Sequence, residues 1–386
     1  MAAVSGAVLI TGARAPVALD LARSFAAAGF EAHLADSVPS AMAQLSHAPA
    51  GLHRYASPRR DQAGFRRDLA RLVAAMDPVL IVPTCEEVFH LAAAAPALGL
   101  ADRLFAPAFG TLRRLHGKGA FADLCAELGL TSPETRRLES VAAPNALAAE
   151  RASLVFKPEY SRAGVRTLVR PSLEALAAVR PSPAEPWCAQ RFVAGQEACF
   201  YAVAREGRLV AFAAYGPRWQ LRGGASYAFE PLETAMGERL RAMAAVLAER
   251  VVIRGQFACD AVIDGDGRPW LIECNPRATS GVHLFQPAAL AQAMLDGAEA
   301  APIDRLRYLA PAMWIFGLPE AIVRGRLRQW RADLARGEDV IGAPADRAPV
   351  AGALVDSAAF QLAALAHGRP LAAEMTADIE WNGEPL

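Results

Sequence analysis

Asp260-Ala-Val-Ile-Asp-Gly-Asp-Gly-Arg-Pro-Trp-Leu-Ile-Glu273-Cys-Asn275-Pro-Arg277 is two apolar strands joined through the turn Asp264-Gly-Asp-Gly267, a hairpin signature. Successive side chains of a strand leave opposite faces, so Glu273 and Asn275 share one face and Cys274 takes the other. Pairing Ile263 with Arg268 would set Asp260 opposite Leu271 and diagonal to Glu273 on that same face. Three oxygen donors then converge: Asp260, Glu273 and Asn275. Oxygen donors without imidazole or thiolate suit Mg²⁺, which keeps part of its water shell and takes phosphate oxygens from a ligand. A polar hairpin face open to water is the competing reading, and it is the one that fits Asp264 and Asp266.

Lysine is the second signal. Lys118 and Lys157 stand alone among 40 basic side chains, all the rest being arginine. An ammonium is a compact point charge suited to a phosphate in a tight cleft, whereas a guanidinium needs more room and a fixed geometry. The alternative is an Ala- and Arg-biased composition with two survivors. The 386 residues are 53% hydrophobic, enough for two or three cores. Forty acidic residues balance the basic ones, so no long-range field favours nucleic acid or an anionic membrane, and small-molecule partners are expected. Residues 1–14 lack a basic segment before their apolar run, and residues 88–101 are too short for a span of roughly 20 residues, so a cytoplasmic location is expected. Six cysteines form no CxxC pair and the histidines no HExxH. They read as small buried hydrophobes, with Cys85 and Cys274 beside motifs.

Apolar runs at residues 7–10, 31–35 and 79–82 alternate with helical patterns at 17–28 and 65–76, which implies a parallel sheet covered by helices. The first turn, Thr11-Gly12-Ala13-Arg14-Ala15-Pro16, lacks the later glycines of GxGxxG and so has no cradle for a dinucleotide; Asp36 resembles an NAD ribose ligand only superficially. Residues 112–128 carry one helical pattern with Lys118 inside it between two glycines. From Ser153 strands dominate: 154–156 running into Lys157-Pro158, then 166–170, 187–193, 198–204 and 209–215, the pattern of antiparallel sheets. A helix at 236–250 precedes the hairpin. Beyond residue 300 lie Ala/Pro-rich loops without an interpretable motif.

These parts together resemble the ATP-grasp superfamily of carboxylate-amine ligases, whose ATP-binding domain recurs in carbamoyl phosphate synthase and biotin carboxylase and whose metal segment reads Asp, a spacer, then Glu-x-Asn-Pro-Arg. The likeness runs through most of residues 1–290. Val155-Phe-Lys157-Pro158 resembles the family's lysine strand and Tyr160-Ser161-Arg162-Ala163-Gly164-Val165 its phosphate loop. Gln190-Arg191-Phe192-Val193 resembles the hinge that lines adenine, Glu197 the residue that takes the ribose hydroxyls, and Lys118 the earlier phosphate lysine. The implied fold is α/β, of the α+β ATP-grasp kind. A Rossmann-like parallel-sheet domain (1–110) precedes a two-lobed ATP-grasp domain with antiparallel sheets (111–300), its lid lobe at about 131–190 and its metal-binding lobe at about 191–300. Residues 301–386 form an extension with no assigned role. The chain departs from the family at Gln190-Arg191, where many relatives carry glutamate, which leaves the backbone of Phe192 and Val193 to read adenine. Cys274 replaces an aliphatic residue.

The resemblance implies ATP and Mg²⁺ as cofactors, a small carboxylic acid activated as an acyl phosphate, and an amine that captures it. Mg²⁺ falls to Asp260, Glu273 and Asn275, and the phosphates to Lys118, Lys157 and the loop Ser161, Arg162, Ala163 and Gly164. Arg277 falls to the acid, with Arg222 of Arg218-Trp-Gln-Leu-Arg222-Gly-Gly as a second anchor. Each has a plainer counterpart: Arg277 in an ion pair, Arg162 and Glu197 as solvated charges, the Arg222 segment as a glycine-rich connection. Glu86, in Thr84-Cys85-Glu86-Glu87 at the carboxyl end of a buried strand, recognises an amine or simply starts a helix. Rival readings are a bicarbonate-activating carboxylase, a nucleotide-binding protein without turnover, and an NAD-dependent oxidoreductase. Homodimers are common among such ligases; no stretch of this chain marks an interface.

Overall fold

The computed structural model describes residues 6–162, 164, 166–221 and 224–386. Ala7–Thr11 runs through the middle of a parallel sheet because Val8, Leu9 and Ile10 have no polar edge to show water; each is fully buried. The order across this sheet is Gly51–Arg54, Glu31–Asp36, Ala7–Thr11, Leu80–Val82. The strand Gly51–Arg54 went unpredicted because its alternation, half-buried then exposed, carries no apolar period.

Two antiparallel sheets follow. The smaller is ordered Thr135–Leu138, Trp187–Arg191, Leu154–Pro158, Leu168–Val169. In the larger, Pro269–Asn275, Gly255–Ile263, Gln196–Arg205, Arg208–Gln220 and Ser226–Pro231 lie side by side, and the short strands Arg307–Tyr308 and Glu338–Asp339 extend its edge. Phe200, Tyr201, Ala202, Val203 and Ala204 are all fully buried, since the sheet is covered on both faces. Helix Thr234–Val251 sends Leu240, Ala244 and Leu247 onto one face, while Val17, Ala18 and Leu21 of helix Pro16–Ala27 share a core with Tyr201 and Val203 of the other.

Two local expectations change. The helical pattern of residues 112–128 is two helices, Phe109–His116 and Lys118–Glu127, broken by the extended Gly117 (φ −64°, ψ 120°). In the hairpin Ile263 pairs with Pro269, and a bulge between Asp260 and Ala261 sets Asp260 directly opposite Glu273 rather than diagonal to it.

The carboxyl-terminal residues return to the first sheet. Helix Pro349–His367 is long and apolar enough to cross a membrane, but Gly352 lies so near Ala41 that an added Cβ would meet its carbonyl oxygen at 2.4 Å, and Asp356 accepts the amides of Ala41 and Met42 at 2.7 and 2.9 Å. Asp378 receives Arg14 Nη1 at 2.7 Å and Nη2 at 2.9 Å, and Arg14 also forks Asp36. This buried triad occupies the place where an NAD ribose would be read. Trp381, 1% exposed, stacks on Phe89 at 4.9 Å and meets Tyr160 at 4.8 Å. Against the cost of burial, the bonds from Arg14 and Ser37 hold the Asp378 carboxyl below its ordinary range. Asp378→Ala should therefore cost about 2 kcal/mol of stability at neutral pH, the range for a hydrogen bond between charged groups. The difference from wild type, followed by thermal melts, should be full above about pH 4 and shrink as pH falls through the lowered folded value.

Candidate functional site

Gly117 turns the chain so that Lys118 opens a helix, and Glu159 closes on that helix start. The Glu159 carboxylate, 4% exposed, accepts the Gly119 amide at 3.1 and 3.0 Å and the Cys188 thiol at 2.6 Å. A side chain at residue 117 would place Cβ 2.8 Å from Glu159 Oε1, so any larger residue there would push that carboxylate off the helix start. A carboxylate at a helix N-terminus takes orphan amides and faces the positive end of the dipole. Glu159 follows Lys157 by two residues, so this one contact fixes the lysine strand against the helix that carries Lys118.

The two ammonium groups meet over the hairpin. Lys118 Nζ lies 3.4 Å and Lys157 Nζ 3.8 Å from Glu273 Oε2, and Lys118 Nζ donates to the Ser161 carbonyl at 2.8 Å. Both lysines are buried, at 2% and 3% exposure. Burial pulls Lys157 down to about 8, with Glu273 opposing the shift. Asp260 is raised by burial and by the adjoining Glu273 carboxylate, while the lysines hold Glu273 low against burial's opposite push. Asn275 Nδ2 lies 3.5 Å from Asp260 Oδ2. Two adjoining carboxylates that resist sharing charge, beside a carboxamide, form an oxygen donor set that a divalent cation would relieve. The residues therefore fit Mg²⁺, with Asp260, Glu273 and Asn275 as the holders.

A cleft of about 460 Å³ extends from this cluster. Lys157, Ser161, Gly164, Gln190, Arg191, Phe192, Val193 and Glu197 all line it with the hairpin residues, and so does Arg277. Glu197 is exposed at the start of its strand. Gln190 is buried and spends its amide nitrogen on Thr135 Oγ1 at 3.0 Å and the Ile272 carbonyl at 3.3 Å. The Phe192 amide donates to the Ser153 carbonyl at 2.8 Å, which removes it from the groups expected to read adenine.

Other expected residues stand elsewhere. Arg162 does not point along the cleft: it pairs with Glu380, donates to the Trp381 carbonyl at 3.1 Å and Asn382 Oδ1 at 2.9 Å, and lies 3.5 Å from Glu86. Glu86 is 1% exposed and takes Arg277 Nε at 2.9 Å; against burial, Arg162 and Arg277 hold it down at about 2. Amine recognition by Glu86 is thus replaced by an ion pair that orients Arg277. Arg218 forks Asp333 at 2.8 and 3.2 Å within a strand rather than a loop. Ala163, Val165, Arg222 and Gly223 lie outside the described residues. At the Gly12 turn the Thr84 hydroxyl fills the space, 2.4 Å from where a Cβ would stand, and Glu87 accepts Thr11 Oγ1 at 2.7 Å, so packing and not a cofactor accounts for that glycine. Burial pushes the Cys85 thiol up, away from nucleophile chemistry.

No family model and no curated protein matches the sequence. Solved structures do match. The N5-carboxyaminoimidazole synthetase of Staphylococcus aureus complexed with ADP aligns with TM-score 0.63 at 11% identity over 82% of this chain and 86% of that one. The biotin carboxylase domain dimer of Hydrogenobacter thermophilus 2-oxoglutarate carboxylase, in complex with MgADP, ADP and bicarbonate, aligns with TM-score 0.61 at 12% identity over 76% and 70%. An L-amino acid ligase from Bacillus licheniformis aligns with TM-score 0.55 at 15% identity over 75% and 74%. The fold is ATP-grasp.

Glu159, absent from the sequence-based assignments, lies two residues from Lys157, and that spacing was its available signal. Glu159→Gln should lower the melting temperature by a few degrees, equivalent to about 1–3 kcal/mol for a buried carboxylate that caps a helix. Calorimetry should show weaker Mg·ATP binding in the same variant, because both lysines lose their brace; unchanged binding would confine Glu159 to stability.

Proposed function

We propose that this protein is an Mg²⁺- and ATP-dependent ligase that activates a small carboxylic acid as an acyl phosphate and joins it to an amine, releasing ADP and phosphate. The observation that carries the reading is the convergence of the chain's two lysines, 3.4 and 3.8 Å from one carboxylate oxygen, on the Asp260–Glu273 pair. Residues 131–190 act as the lid lobe and 191–300 as the metal-binding lobe. A cytoplasmic location and a homodimer go with the reading.

In it, Lys118 and Lys157 turn from Glu273 to the triphosphate, where their fixed charge stabilises the transferred phosphoryl group. Asp260, Glu273 and Asn275 hold Mg²⁺, which when bound offsets charge on the phosphate oxygens. Glu197 takes the ribose hydroxyls, and Val193 lines the adenine end. Arg277, oriented by Glu86, holds the acid so that its carboxylate oxygen attacks the γ-phosphorus as the bond to ADP breaks. The amine nitrogen then attacks the acyl carbon, the nitrogen loses a proton, and inorganic phosphate leaves.

ADP release should appear when amines are paired with carboxylic acids in the presence of Mg²⁺ and vanish with chelator. Lys157→Ala should reduce kcat/KM by about 10²–10³, the effect of removing one fixed donor, in protein shown by circular dichroism to be folded. Glu273→Gln should weaken Mg·ATP turnover in a folded protein. Full turnover in either variant would remove the lysine pair or the hairpin from the chemistry, and ADP release with bicarbonate alone would favour the carboxylase reading.

A further inference from the structure

Glu273, Asp260, Cys199 and Tyr215 form one row across the large sheet, each the direct cross-strand partner of the next. Direct partners leave the same face of a sheet. The Cys199 thiol donates to Asp260 Oδ1 at 3.0 Å, as that arrangement requires. With strands about 4.8 Å apart, Tyr215 stands about 10 Å from Asp260, measured across the strands. The nucleotide end runs along them instead, through Val262 and its partner Glu197. The lining of the cleft therefore extends in two directions, or arms, from the metal residues: along the strands to Glu197 and across them to Tyr215.

The second arm is built from different chemistry. Tyr215 and Pro217 line it, with Thr279 and Ser280, and Phe229, fully buried, packs behind Tyr215. The Tyr215 and Phe229 rings meet edge to face at 5.9 Å, and His283 stacks behind Phe229 at 5.8 Å. Tyr215 and Thr279 hydroxyls are 3.5 Å apart, too long for a firm bond, so each retains capacity for a ligand. Gly281 allows this wall to close in, since an added Cβ would lie 2.2 Å from that of Tyr201.

We infer that this arm holds the body of the acid, that Tyr215 determines its specificity, and that the acid is an organic monocarboxylate with an aromatic or branched apolar body rather than bicarbonate. The inference rests on the ligase reading. An acid whose carboxylate lies at Arg277 needs a body to reach Tyr215, and an apolar body gains from burial against the Tyr215 ring and Pro217. Bicarbonate has no body to place there.

The test uses the full chain with Mg·ATP and hydroxylamine as nucleophile, so that activated acid is trapped as hydroxamate whatever the natural amine. Benzoate, phenylacetate and isovalerate should exceed bicarbonate and succinate in kcat/KM by at least about tenfold. Tyr215→Ala should reduce kcat/KM for the best of the three by about tenfold or more through KM of the acid, leaving KM of ATP unchanged. If that variant fails to fold, Thr279→Val reads the same wall and should raise KM of the acid alone. ADP release confined to bicarbonate, or acid kinetics indifferent to both variants, would overturn the inference. Absence of ADP release with every acid, despite calorimetric binding of Mg·ATP, would overturn the ligase reading and the inference with it.

Discussion

The arrangement turns on one electrostatic constraint: Glu273 lies between two buried ammonium groups on one side and a second carboxylate on the other. Each lysine side chain is expensive to bury without an opposite charge, and each carboxylate resists its neighbour. Lys118 and Lys157 satisfy Glu273 while Asp260 is pushed toward its neutral form. A bound cation and a polyanion would exchange those partners: the cation would take the carboxylates and the polyanion the ammonium groups.

Rigid supports hold that balance. Glu159 ties the Lys118 helix to the Lys157 strand, and the bulge beside Asp260 brings the two hairpin carboxylates face to face. Behind Arg277, Glu86 is compensated by two guanidiniums, so that Arg277 enters the cleft with its orientation fixed. Arg162 belongs to both this pair and the carboxyl-terminal segment, which links residues 380–382 to the loop beside the lysines. Trp381, inserted among Phe89, Phe109 and Tyr160, fixes that segment in place. The tail is thus part of the frame around the cleft.

What was legible in the sequence follows from range. Asp260, Glu273 and Asn275 could be read because a strand has period two and the hairpin turn is local; the bulge that completes their pairing depends on both strands at once. The lysines were legible through rarity. Glu159 was missed because its one signal, a spacing of two from Lys157, does not show what the carboxylate caps until the Lys118 helix is placed. Arg14 with Asp378 and Arg162 with Glu380 join residues hundreds of positions apart, and such pairs leave no periodic trace. The break at Gly117 was hidden for another reason: helical periodicity continues on both sides of one extended residue.

The division of the cleft also separates what the scaffold decides from what this chain decides. The corner is where the hairpin carboxylates, the Lys157 strand and the start of the Lys118 helix meet. The wall of the second arm is set by this chain's own residues, Tyr215 on its strand and Thr279 in the segment after the hairpin. Cys199 stands between the two regions and bonds to Asp260. Tyr215 and Asp260 are each the cross-strand partner of Cys199, so the wall and the charged corner are joined through that one strand position.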